Sequence, residues 1–151
     1  MPSGKKPLRR LRKTVVKAFL DTSAILRLFV KDDAGKCEAV KNLIQTSGQK
    51  GIALHILPIT TLEIVWVLEK VYKLTKEAIA DIADAMMNTP QLKIELESVF
   101  RQAIRAYVEK NVKFADAVMA YWGIEKNLTT VFTFDEKHFK RIDGLTVKKP
   151  T

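Results

Sequence analysis

The stretch Phe19-Leu20-Asp21-Thr22-Ser23-Ala24-Ile25-Leu26 decides the fold. It closes an apolar run, residues 15–20, that only Lys17 interrupts. A short run dominated by β-branched and aromatic side chains predicts a buried strand. Thr22 or Ser23 then offers an N-cap hydroxyl for a helix over about residues 24–30. Asp21 therefore falls at the carboxyl end of a first strand, beside a helix N-terminus. In open α/β sheets ligands bind along that edge. The plainer role for Asp21 is to help cap the helix.

Working outward, helical and extended patterns alternate. A break at Asp32-Asp33-Ala34-Gly35 precedes an amphipathic helix over residues 36–46, with Ala39, Val40, Leu43 and Ile44 on one stripe. A glycine-containing turn leads to a second strand, residues 52–57, closed by Pro58. Residues 60–72 are apolar almost all round, which predicts a buried helix. Further helices are expected over 75–87, 98–110 and 115–126, and strands over 92–94 and 130–134, with an edge strand at 145–147. Strands separated by helices predict an α/β fold, a three-layer α/β/α sandwich with a mainly parallel sheet. Residues 15–151 read as one domain, and residues 1–14 as a basic arm.

Charge is distributed unevenly. The 151-residue chain has a net charge of +9, and residues 1–17 hold seven of its 26 Lys and Arg and no acid. The other residues carry 19 bases against 17 acids, so the body is nearly neutral. Such an arm attracts nucleic acid, an acidic partner or an anionic membrane surface, and Arg9, Arg10, Arg12 and Lys13 are its nucleic-acid candidates. It is equally readable as a solvated tail. The single Cys37 rules out an intrachain disulfide and fits a reducing cytosol. Cys37, His55 and His138 are too scattered for a zinc pattern. No apolar run is long enough to span a membrane, and the apolar segment after the basic start is too short for a signal peptide. A cytoplasmic protein is expected.

Acids interrupt apolar surroundings at three further places. Glu63 lies in Thr60-Thr61-Leu62-Glu63-Ile64-Val65-Trp66, and Asp116 in Phe114-Ala115-Asp116-Ala117-Val118-Met119. Each shares a helix face with apolar residues, where an ionised carboxylate needs a cation or strong donors. Asp135 ends the run Thr129-Thr130-Val131-Phe132-Thr133-Phe134 and so leaves a strand at its carboxyl end. Asp21, Glu63, Asp116 and Asp135 are thus expected to converge at one sheet edge. An oxygen-rich site of this kind suits Mg²⁺ or Mn²⁺. Against this stand simpler roles: first-turn acids favoured by the helix dipole for Glu63 and Asp116, and a turn residue for Asp135. Trp66 and Trp122 read as core, and Arg101 and Arg105 as a solvated face rather than phosphate contacts. His138 reads as structural or surface unless it meets substrate near Asp135.

The order of these motifs resembles a known family. Phe19-Leu20-Asp21-Thr22-Ser23, Leu62-Glu63, Ala115-Asp116-Ala117 and Thr133-Phe134-Asp135, followed by Phe139-Lys140-Arg141-Ile142, are similar to the acidic signature of PIN-domain ribonucleases. The likeness is strongest to the VapC-type toxins of toxin–antitoxin pairs, and it spans about residues 15–147. The basic arm departs from that pattern. The resemblance implies an α/β/α sandwich whose acids bind Mg²⁺ or Mn²⁺ and hydrolyse phosphodiester bonds in RNA. It makes Asp21 and Asp116 the principal metal ligands, with Glu63 and Asp135 completing the site. Thr22, Ser23 and Thr133 would orient carboxylates or water. It also implies a single-stranded or looped RNA substrate, an antitoxin partner and a homodimer. Two alternatives remain at this stage. One is a PIN-like RNA- or protein-binding module without catalysis. The other is a haloacid-dehalogenase-type phosphatase, which wants a second Asp where this chain has Ser23.

Overall fold

The computed structural model describes Gly4 and residues 14–151. The basic arm, with Arg9, Arg10, Arg12 and Lys13, lies outside the described residues except for Gly4 and Thr14. The elements run β1 (Val16–Phe19), α1 (Thr22–Phe29), α2 (Ala34–Ser47), β2 (Ile52–Ile56), α3 (Pro58–Lys70) and α4 (Lys76–Met87). They continue with β3 (Leu92–Ile94), α5 (Glu97–Glu109), α6 (Phe114–Glu125), β4 (Thr130–Phe132), α7 (Glu136–Phe139) and β5 (Thr146–Lys148). Every strand pairing is parallel, as expected where helices form the crossovers. The fold is the α/β class read from the sequence.

The strands form two groups. β1, β2 and β3 make one sheet in that order, and β4 pairs with β5. Ala18 pairs with Leu54, and Leu54 with Leu92. Parallel pairing puts the carboxyl ends of β1 and β2 at one edge, so the helices that leave them, α1 and α3, start side by side. The core gathers around β2. Leu54 and Ile56 are buried with Ile64, Val65 and Leu68 of α3 and with Val99, Phe100 and Tyr107 of α5.

Two expectations about burial are corrected. β1 is not a buried strand: Val16 is 57% exposed and Phe19 64% exposed, and among the described residues β1 stands at the edge of its sheet, paired with β2 alone. Trp66 is not core either. It is 58% exposed, and Trp122 is 37% exposed. The buried face of α3 is filled by Thr60, Thr61, Ile64, Val65 and Leu68, which turns Ile59 and Trp66 outward.

Aromatic packing fixes the start of α6. Phe114 stacks on Phe100 at 6.2 Å between centroids and meets Tyr107 edge-on at 6.0 Å. Each such pair adds roughly 0.5–1.5 kcal/mol beyond simple burial. The first turn of α6, which carries Asp116, is thereby anchored to α5.

Candidate functional site

Asp21 is itself the N-cap of α1, in place of Thr22 or Ser23. Its carboxylate accepts from the Ala24 backbone N–H at 3.0 Å and from the Ser23 hydroxyl at 2.9 Å. The Ala24 N–H, followed by the Ser23 hydroxyl, holds the Asp21 pKa below the usual aspartate value. Thr22, buried behind it, donates through Oγ1 to Glu63 Oε2 at 2.8 Å. One hydroxyl thus joins the acid-bearing ends of α1 and α3. Asp21 and Glu63 are both exposed.

The second pair of acids belongs to α6 and α7. Asp116 is half-buried in the first turn of α6. Burial raises its pKa, His138 pulls it down whenever its ring is protonated, Lys113 pulls it down as well, and Asp135 pushes it up again. Asp135 is the N-cap residue of α7, with Lys113 Nζ 3.9 Å from its Oδ2. Thr133 braces the turn by accepting the Asp135 backbone N–H at 3.0 Å, so its hydroxyl serves backbone rather than carboxylate. His138 Nδ1 accepts the Lys113 backbone N–H at 3.1 Å, which leaves Nε2 as the protonated nitrogen.

A cavity of about 740 Å³ lies between α3, α5, α6 and α7. Glu63 and Trp66 line one wall, and Lys113, Ala115 and His138 line another. At its far end Lys76 donates to Asn111 Oδ1 at 2.6 Å and sits 4.4 Å from the Tyr107 ring centroid, and the Tyr107 hydroxyl donates to Glu69. Of the four acids only Glu63 is in the cavity lining, and Asp116 and Asp135 adjoin it through their neighbours Lys113, Ala115 and His138.

The PIN domain family model matches residues 18–145, a span that includes all four acids. This chain is a PIN-domain protein. It is 27% identical over 128 residues to a VapC ribonuclease of Aquifex aeolicus (strain VF5), covering 85% of this chain and 93% of that protein. The crystal structure of VapBC2 from Rickettsia felis bound to a DNA fragment from their promoter aligns with a TM-score of 0.36 and 18% identity. That alignment covers 90% of this chain and all of the other.

In this PIN domain the four acids stand as two pairs, one linked through Thr22 and the other through the charges around Asp116. Among the described residues no group of three His, Cys, Asp or Glu side chains is placed to hold a metal ion. The donor chemistry still fits a hard divalent cation. Mg²⁺ needs only one or two carboxylates when water and substrate phosphate fill its other positions. Asp21 is kept ionised by its donors, and the desolvated Asp116 would gain from a nearby cation.

Sequence reasoning missed Lys113 and the lock it places on His138. The only signal was a Lys three residues before Asp116, with a His three residues after Asp135. Arg101, expected on a solvated face, is instead tied into the fold. It bonds the Met87 carbonyl, the Asn88 side chain and Glu97, which ties α5 to the end of α4. No helix among the described residues is long and apolar enough to cross a membrane.

Proposed function

We propose that this PIN domain is a ribonuclease dependent on Mg²⁺ or Mn²⁺, acting on single-stranded or looped RNA in the cytoplasm as the toxin of a toxin–antitoxin pair. The observation that carries the reading is the arrangement of the two acid pairs, with Glu63 on one wall of the cavity and the Lys113–His138 contact on the other. The likeness to a VapC ribonuclease over most of both chains supports the same chemistry. An antitoxin partner and a homodimer follow from that toxin reading.

Hydrolysis adds the oxygen of water to phosphorus, breaks one P–O ester bond and leaves a proton on the departing oxygen. Asp21 and Glu63, with Asp116 and Asp135, would hold the cation. When bound it supplies charge neutralisation at the phosphoryl group and eases deprotonation of the attacking water. Thr22 fixes one Glu63 oxygen and leaves the other for ligation. Lys113 contributes positive charge toward the phosphate side, and the Nε2–H of His138 is a donor at the cavity wall. No Ser or Cys nucleophile is required.

The deciding assay is cleavage of single-stranded RNA with Mg²⁺ or Mn²⁺, with EDTA and with Asp21→Asn. Cleavage lost in both controls is expected. Equal cutting by Asp21→Asn and wild type would refute the assignment. No cleavage with either metal would leave a PIN-like module that binds RNA or protein without catalysis.

A further inference from the structure

We propose that Trp66 is a stacking platform for the base of the nucleotide beside the scissile phosphate, so that the cavity below it binds single-stranded rather than paired RNA. This deepens the ribonuclease reading and rests on it. Trp66 follows Glu63 by three residues on α3, which places the two side chains on one helix face, about one turn apart. The indole is 58% exposed although its helix neighbours Val65 and Leu68 are buried, and it lines the same cavity as Glu63. A large exposed aromatic in a groove lined by cations is the pairing that single-strand binders use: a π-face for the base, with positive charge for the backbone.

The charge of the groove selects the occupant. Its lining holds five bases (Lys70, Lys76, Lys113, Lys137 and Arg141) against Glu63 and Glu69. Lys70 is already 2.8 Å from Glu69 and Lys113 3.9 Å from Asp135, so the excess positive charge comes from Lys76, Lys137 and Arg141. Arg141 is held in the wall by the Lys110 and Asn111 carbonyls, which fixes its guanidinium without neutralising it. A basic groove with an aromatic shelf fits a polyanion with exposed bases. In a duplex those bases are stacked on one another and give the indole no free face.

The test uses Trp66 fluorescence in a Trp122→Phe background, because Trp122 is absent from the cavity lining. Titration with a short single-stranded oligoribonucleotide in EDTA is expected to quench Trp66, and the same sequence as a duplex to leave it unchanged. In the cleavage assay Trp66→Ala is expected to raise KM roughly 5- to 100-fold with little change in kcat, and Trp66→Phe to recover most of the loss. Wild-type cleavage with no quench, or with KM unmoved by Trp66→Ala, overturns the platform and leaves the ribonuclease reading intact. Quenching without cleavage under either metal supports the platform and overturns the ribonuclease reading. Neither binding nor cleavage overturns both. Quenching that follows protein concentration alone would put a second copy of this chain in the groove and overturn the proposal.

Discussion

Thr22 Oγ1 donates to Glu63 Oε2 at 2.8 Å across 41 residues of sequence. The bond exists because parallel pairing of β1 with β2 starts α1 and α3 at one edge. It restricts the Glu63 rotamer and occupies one of its oxygens. Thr22→Val keeps the shape and removes the donor. Groups that orient ligating residues typically contribute 10- to 100-fold to activity or metal affinity, so a loss of that size is expected. Unfolding stability should fall by only about 1 kcal/mol. Thr22→Ser should retain most activity. Steady-state cleavage beside urea unfolding separates the two effects.

The capping role of Asp21 and its proposed metal-holding role are separable by substitution. Asn caps helices about as well as Asp, whereas Ala costs about 1 kcal/mol at an N-cap. Asp21→Asn should therefore unfold close to wild type and still lose cleavage. Asp21→Ala should lose both activity and about 1 kcal/mol. If Asp21→Asn were as active as wild type, capping would be the whole role of this acid.

What the sequence disclosed follows from what local patterns encode. Period and punctuation located the parallel α/β alternation, and Asp21 at a strand end beside a helix needed only its immediate neighbours. Burial of β1 was misread because an apolar run looks alike whether one or both of its edges are paired, and β4 pairs with β5 instead. Trp66 was misread because α3 is apolar almost all round, and only tertiary contacts select the face that is buried. The four-residue helix α7 went unseen, being too short to show a period. Its Glu136–Lys140 contact at 2.9 Å is the one local cue. The Lys113–His138 bond joins the N-cap of α6 to α7 across 25 residues, which no spacing rule announces.

Asp116 gives a pH signature of defined sign. Its native pKa is raised above 3.8, chiefly by burial, so the folded state holds this proton more tightly than the unfolded chain. The ionised form is therefore a cost to folding above the native pKa, relieved as pH falls through it. Asp116→Asn removes that cost. The metal-free variant should melt higher than wild type near neutral pH, with the gain vanishing in acid. Asp21, whose pKa is lowered, acts with the opposite sign and loses its contribution as pH falls. Thermal melts of wild type and Asp116→Asn in EDTA over a pH series check this. A gain that persists unchanged in acid would assign the effect to packing instead.

Metal-linked stability tests whether the two acid pairs act as one site. An ion that binds only the folded state stabilises it by about 2.7 kcal/mol at 100 times its Kd. Wild type should therefore melt higher with Mg²⁺ or Mn²⁺, and EDTA should reverse the shift. If one ion draws on both pairs, Asp21→Asn and Asp116→Asn should each remove most of the shift, and the double variant should add little. If each pair holds its own ion, each single variant should remove part and the double variant the remainder. Asp116 is anchored through Phe114, so Phe114→Ala offers an independent check. It should cost roughly 3–5 kcal/mol of stability and weaken the metal shift with every acid still in place, because the first turn of α6 would no longer be held against Phe100 and Tyr107.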